Sequence, residues 1–153
     1  MSSSRSGPIL LCYDSSDGAR RAIETAGALF PGRKAIVLHV WSPIAVMAAA
    51  YGAVVSMPEY DEGELEKLAR QVSDEGAALA KAAGLDATGE LAEGTYEGTW
   101  HAIDEAGEKL GATVIVIGAR GLSTFKSVVL GSVSHGVSQH ARVPVLIVPP
   151  ADS

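Results

Sequence analysis

Several things are scarce or missing in this sequence, and each absence narrows the reading. Cysteine occurs once, at Cys12. A lone thiol excludes an internal disulfide and a cysteine-based zinc site. Its place in Ile9-Leu10-Leu11-Cys12-Tyr13 marks it as a small buried apolar residue. A basic surplus is missing too: 12 Lys and Arg face 18 Asp and Glu, a net charge of −6. Such a chain repels polyanions, which argues against nucleic acid or an anionic membrane as partner. Met1 to Pro8 hold no apolar stretch of signal-peptide length, so a cytoplasmic location is expected. Residues 35–58 carry no Asp, Glu, Lys or Arg. Such a run is long enough to span a bilayer. His39, Ser42, Pro43 and Gly52 interrupt it, however, and Pro43 would break a helix there. Ala35 to Trp41 therefore reads as a strand, and Ile44 to Met57 as a flexible apolar loop near a site or interface.

What is present is a globular composition. The chain has 153 residues, 47% apolar and 20% charged. That suits one domain, which buries roughly two-thirds of its unfolded surface without disulfides or structural metal. The expectation is a single domain over 1–153 with disordered tails at about 1–6 and 150–153. Short apolar runs alternate with helical periodicity. Ile9 to Tyr13, Ala35 to Trp41, Thr113 to Ile117 and Val145 to Val148 read as buried strands. A weaker strand is expected within Ala87 to Ala92. Between them, Ala19 to Phe30 and Leu65 to Ala83 place apolar residues at intervals of three and four. The second of these helices is expected to start at Pro58 and Glu59 and to end at Gly84. A third helix carries Trp100, Ile103, Ala106 and Leu110. A fourth begins near Ser132 and stops before Pro144. The order βαβαβαβαβ implies an α/β domain, a doubly wound parallel sheet of about five strands with four helices.

Ligands in such folds bind beyond the carboxyl ends of the strands. Asp14 follows the first strand, and Val40-Trp41-Ser42 closes the second. Gly118-Ala119-Arg120-Gly121 follows the fourth; after nine intervening residues Gly131-Ser132-Val133-Ser134 opens the last helix. Gly118 and Gly121 allow close backbone approach. A helix N-terminus at Gly131 with two hydroxyls suits phosphate, while Ser132 and Ser134 equally suit plain capping. Other phosphate-binding and hydrolase motifs are missing: there is no Gly-x-x-x-x-Gly-Lys loop, no Gly-x-Gly-x-x-Gly after the first strand, and no Gly-x-Ser-x-Gly elbow. Asp14 also lacks the acidic neighbour that a response-regulator receiver would need.

The spacing Gly118-x-x-Gly121, nine residues, Gly131-Ser132 resembles the signature of ATP-binding universal stress proteins. The resemblance covers nearly the whole chain. It includes Asp14 with Ser16, the His39-Val40 strand end, Arg120-Gly121 and the closing Val143 to Val148. It implies strand order 3-2-1-4-5, an adenine-nucleotide-binding Rossmann-like fold. It also implies that Asp14 faces the adenosine, the Val40 backbone meets the adenine edge, and Gly118 lies by the ribose. Arg120 and Gly121 would flank the phosphates, and Gly131, Ser132, Val133 and Ser134 would hold them. The implied cofactor is ATP with Mg²⁺. The implied partner is a second copy, paired through the uncharged edge Val145 to Val148, a strand that is a liability in a monomer. Ser15 stands where the family often has glycine, and Gly111-Ala112-Thr113 lacks the acid often found there.

Other residues carry blander readings. His39 reads as a packed, hydrogen-bonded histidine, His135 and His140 as the polar face of the last helix, and Glu59 to Glu66 as a solvated helix start. Trp41 suits either stacking on a base or a place in the core. Any metal would be Mg²⁺ brought by a nucleotide. Hydrolysis needs a positioned nucleophile and base; no such pair stands out, so slow ATP hydrolysis is the most that is expected. A module of this fold that binds no nucleotide, or prefers AMP or cyclic AMP, is the competing reading. The charge is also uneven. Residues 1–108 hold 8 Lys and Arg against 17 Asp and Glu, a net of −9, whereas residues 109–151 hold four bases and no acid. That acid-free stretch contains the glycine motif, so a small anion remains compatible with an acidic chain.

Overall fold

The computed structural model describes residues 6–42, 61–120 and 130–151. Among the described residues nine elements succeed one another: β1 (Ile9–Cys12), α1 (Asp17–Leu29), β2 (Lys34–Trp41), α2 (Glu62–Ala82), β3 (Asp86–Glu93), α3 (Thr99–Lys109), β4 (Val114–Gly118), α4 (Ser132–His140) and β5 (Val145–Val148). The strands form one parallel sheet in the order β3-β2-β1-β4-β5. No described helix is long and apolar enough to cross a membrane.

Strand alternation divides the core into two layers. Ile9 and Leu11 of β1 pack with Ala22, Ile23 and Ala26 of α1 and with Ala77 and Ala80 of α2. Leu10 and Cys12 point the other way, toward Ile103 of α3 and Val137 of α4. Both faces of β1 are therefore covered, which is why its sequence is apolar without alternation. Small residues let the helices sit close. A Cβ on Gly76 would lie 2.6 Å from Val37 Cγ1 and 2.7 Å from Tyr13 Cδ1, and one on Gly27 would lie 2.4 Å from the Ala83 carbonyl oxygen.

Several boundaries differ from the sequence expectation, each for a local reason. Helix α2 is capped by Asp61, whose carboxylate accepts from the Gly63 N–H. It thus starts three residues after the expected Glu59; Pro58 and Glu59 lie outside the described residues. The expected exit of α2 at Gly84 holds: Gly84 takes φ +96°, and the Leu85 N–H donates back to the Ala80 carbonyl at 3.0 Å. The weak third strand is a full eight residues, paired with β2 along its whole length. Its sequence signal is faint because it is an edge strand whose alternate positions are polar and exposed. Leu29 and Leu68, placed on apolar faces by periodicity, are exposed. The expected apolar loop Ile44 to Met57 lies outside the described residues, as do residues 1–5 and 152–153 of the expected tails.

Candidate functional site

The carboxyl ends of β1, β2 and β4 and the starts of α1, α3 and α4 surround one pocket of about 220 Å³. A water occupies about 30 Å³ in the liquid, so the space suits an organic group and not a single ion. Its lining is mainly apolar deep in the fold and polar at the helix starts. Cys12, Leu38, Ile103 and Ile117 supply the apolar part; Asp14, Ser16, Arg120, Ser132 and Ser134 supply the polar one.

The β1 exit is tightly organised. The Tyr13 N–H continues the ladder by donating to the Leu38 carbonyl at 2.9 Å. The Asp14 carboxylate accepts from the Ser16 N–H at 3.0 Å, closing a local turn over Ser15. Ser15 has φ +67°, the one positive value at a non-glycine position among the described residues. A serine thus holds a conformation that favours glycine. Ser16 caps α1: its hydroxyl oxygen accepts from the Ala19 N–H at 3.1 Å.

The β4 exit lies against this turn. A Cβ on Gly118 would lie 2.8 Å from the Gly18 carbonyl oxygen, and one on Gly18 would lie 2.5 Å from the Arg120 carbonyl oxygen. Two backbones touch here, and glycine on both sides is what permits it. The Ala119 carbonyl then accepts from the Gly131 N–H and from the Ser134 hydroxyl, both at 2.7 Å. Ser134 is buried, and its proton is spent on this tie between β4 and α4.

Helix α4 starts differently from α1. Its cap, Gly131, has no side chain, and the first helical bond runs from the His135 N–H to the Gly131 carbonyl. The N–H groups of Ser132, Val133 and Ser134 have no acceptor among the described residues. Three aligned donors at the positive end of a helix dipole attract an anion.

Nine of the ten sequence-selected residues (Asp14, Ser16, Val40, Gly118, Arg120, Gly131, Ser132, Val133 and Ser134) line this pocket. Gly121 lies outside the described residues. His135 and His140 are exposed and are not among the lining residues; His140 stacks on Trp100 with ring centroids 4.4 Å apart. Trp41 is not a lining residue either. Sequence reasoning does not select Thr99 and Ile103 of α3 for the site, nor Leu38. The rule that ligands meet the carboxyl edge of the sheet extends to the helix that covers that edge, and α3 is the element that could have pointed to them. Burial, with the nearby Asp14 charge adding to it, pushes the Cys12 thiol up to about 12, so it is a neutral wall of the pocket and no nucleophile. No group of three or more His, Cys, Asp or Glu among the described residues could hold a metal ion.

The family model for the universal stress protein family matches residues 6–149. The chain belongs to that family. Universal stress protein YxiE of Bacillus subtilis (strain 168) is 34% identical over 147 residues, 92% of this chain and 97% of that protein. Among solved structures, a universal stress protein in complex with cAMP superposes with a TM-score of 0.66 at 25% identity, covering 93% of this chain and 96% of that one. The universal stress protein from Archaeoglobus fulgidus in complex with dAMP superposes with a TM-score of 0.63 at 20% identity, covering 92% and 96%. Strand order and helix placement here are those of this family's fold.

Proposed function

We propose that this universal stress protein binds an adenine nucleotide in the pocket at the carboxyl edge of the sheet. In this reading ATP with Mg²⁺ is the ligand and the protein acts as a nucleotide-dependent regulatory module. The observation that carries the proposal is the open start of α4. The N–H groups of Ser132, Val133 and Ser134 lack acceptors among the described residues and border the same pocket as Gly118 and Arg120. They lie in the stretch of chain that contains no acid. Phosphate is the ligand group that such an end takes. The apolar walls Leu38, Ile103 and Ile117 suit a flat base, with the Val40 backbone at its edge and Asp14 toward the sugar. Ser134 contributes its backbone N–H, since its hydroxyl proton is committed to Ala119. Ser16 shapes the turn as a cap more than it donates. No carboxylate cluster among the described residues competes for Mg²⁺, which would arrive with the phosphates.

A second reading is favoured by the relative solved with cAMP: a preference for AMP or a cyclic nucleotide over ATP. Acid release and mass spectrometry of small molecules from the purified protein, followed by calorimetry with ATP·Mg²⁺, AMP and cAMP, separates the two. ATP bound most tightly supports the first reading; AMP or cAMP bound most tightly supports the second. No bound nucleotide and no heat with any of the three overturns both. Dimerisation through β5 belongs to the same proposal. The strand is a sheet edge with β4 as its sole neighbour among the described residues, and Leu146 and Ile147 on it are half-buried. Light scattering that returns a monomer mass would remove that part. A cytoplasmic location is proposed on the sequence grounds alone, and catalysis beyond slow hydrolysis is not part of the reading.

A further inference from the structure

The Tyr13 carbonyl lies one residue beyond the last β1–β2 pair, Cys12 with Leu38. It is past the ladder, inside a residue that is only 2% exposed. A buried carbonyl without an acceptor role costs free energy, so something must serve it. The group that does so is a side chain: His39 Nδ1 lies 2.9 Å from the Tyr13 oxygen. A carbonyl can only accept, so Nδ1 carries the proton. The half-buried ring is thereby fixed in one tautomer when neutral.

Tyr13 leads directly into the pocket. Asp14 is the next residue, and its carboxylate holds the Ser16 N–H across the strained Ser15. Tyr13 itself is held at three points: its N–H by Leu38, its carbonyl by His39 and its hydroxyl by Glu75, to which it donates at 3.0 Å. Backbone N–H and side-chain hydroxyl fix the strand and the ring. The carbonyl fixes the peptide plane joining Tyr13 to Asp14, and so the direction in which Asp14 leaves the sheet. We infer that His39 is a positioning residue of the pocket: through its Nδ1–H bond to the Tyr13 carbonyl it sets the Tyr13–Asp14 peptide and with it the Asp14–Ser16 turn. The inference deepens the nucleotide reading: His39 itself lines the pocket, and its effect on ligand binding is assigned to this turn and not to direct contact.

Two isosteric variants decide the matter. An asparagine amide can reach the place of Nδ1, and a glutamine amide reaches that of Nε2. The probes are hydrogen exchange of the Ser16 amide, without ligand, and the affinity for ATP·Mg²⁺ by calorimetry. His39→Ala is expected to speed Ser16 exchange and weaken ATP about three- to tenfold, the size of one lost hydrogen bond. His39→Asn restores both, and His39→Gln restores neither. Restoration by Gln and not Asn would mean that Nε2 touches the ligand directly, which overturns the inference. So would unchanged Ser16 exchange in His39→Ala, or a loss of thermal stability in all three variants with ATP affinity unmoved. If the wild-type protein binds none of ATP, AMP and cAMP, the nucleotide reading fails and Ser16 exchange alone decides whether His39 sets the turn.

Discussion

Two helices begin at the rim of one pocket, one with a side-chain cap on its first turn and one without. At α1 the Ser16 hydroxyl satisfies the Ala19 N–H, and the Asp14 carboxylate satisfies that of Ser16. At α4 the cap is glycine, and the N–H groups of Ser132, Val133 and Ser134 stay open among the described residues. The acids of the region sit with α1: Asp14, Asp17 and, across the α1–α2 contact, Glu75. The stretch that contains α4 has none. A helix end left uncapped costs stability unless water or a ligand serves it. The difference is one of degree: α1 has one of its three first-turn donors capped and a carboxylate beside them, whereas α4 has none capped among the described residues; on the proposed reading, α4 is the start left to the ligand.

The sharpest way to break this contrast is to give α4 the cap that α1 has. Gly131 has φ −60°, which any residue adopts, and an added Cβ would lie 3.3 Å from the Ala119 carbonyl oxygen, close but tolerable with a small shift. Gly131→Asp should therefore stabilise the helix by a few tenths of a kcal/mol, as a carboxylate replaces glycine at the cap. It should also place a negative charge where the proposed phosphate goes, lowering ATP affinity about a hundredfold, since like charges brought together cost several kcal/mol. Denaturant midpoints and calorimetry on the same preparation read both. A gain in stability with unchanged affinity would show that α4 holds no anion.

The reverse manipulation damages α1. Ser15 is held in the left-handed region by the Asp14–Ser16 turn. A branched side chain there is a steric outlier, so Ser15→Val should cost about 2 kcal/mol. Ser15→Gly, which takes the same φ freely, should leave the denaturant midpoint nearly unchanged. Equal losses for both would mean that the Ser15 hydroxyl, and not the backbone, holds the turn. Ser16→Ala is smaller. Loss of the cap should cost about 1 kcal/mol, with ATP affinity changed less than threefold. A large affinity loss without a stability loss would move Ser16 from scaffold to ligand contact and erase the contrast between the helices.

How much of this is legible in the sequence depends on whether a feature is local. β1, β4 and β5 are visible because strands in the interior of a parallel sheet, or packed against its helices, are continuously apolar. β3 is faint because Asp86 to Glu93 alternates polar residues along an exposed edge. The glycines at 118 and 131 are legible, since few residue types permit backbone contacts as close as Gly118 with Gly18. The pairing of His39 with the Tyr13 carbonyl is not, because it joins residues 26 apart through the β1–β2 register. The strand alone makes His39 packed and hydrogen-bonded, which it is; its partner comes only with the sheet. Thr99 and Ile103 escape sequence reasoning for the same reason, since no local pattern says which helix covers which strand end. The start of α2 is misplaced because Pro58 and Glu59 suit a helix start as well as Asp61 does, and only the bond from Gly63 to Asp61 distinguishes them.

The smallest expected effect tests the acidic side of the contrast. Glu75 accepts from the Arg20 guanidinium at 3.1 Å and from the Tyr13 hydroxyl at 3.0 Å, and these bonds, Arg20 first, hold its carboxyl below the usual 4.5. A group whose folded pKa is lowered adds stability that is complete above its unfolded value and lost as pH falls through the folded one. The wild-type protein should therefore lose part of its thermal stability below about pH 4.5, and Glu75→Gln should already lack that part at neutral pH. Both Arg20 and Glu75 are nearly half exposed, at 42% and 46%, so water and salt screen the pair and the difference is modest. It should shrink further in about 1 M salt, where the Debye length is only about 3 Å. Melting curves of wild type and Glu75→Gln across pH 3 to 7, in low and high salt, read it directly. A difference that grows toward low pH would reverse the sign and show that Glu75 is destabilised by its acidic neighbours rather than held by Arg20.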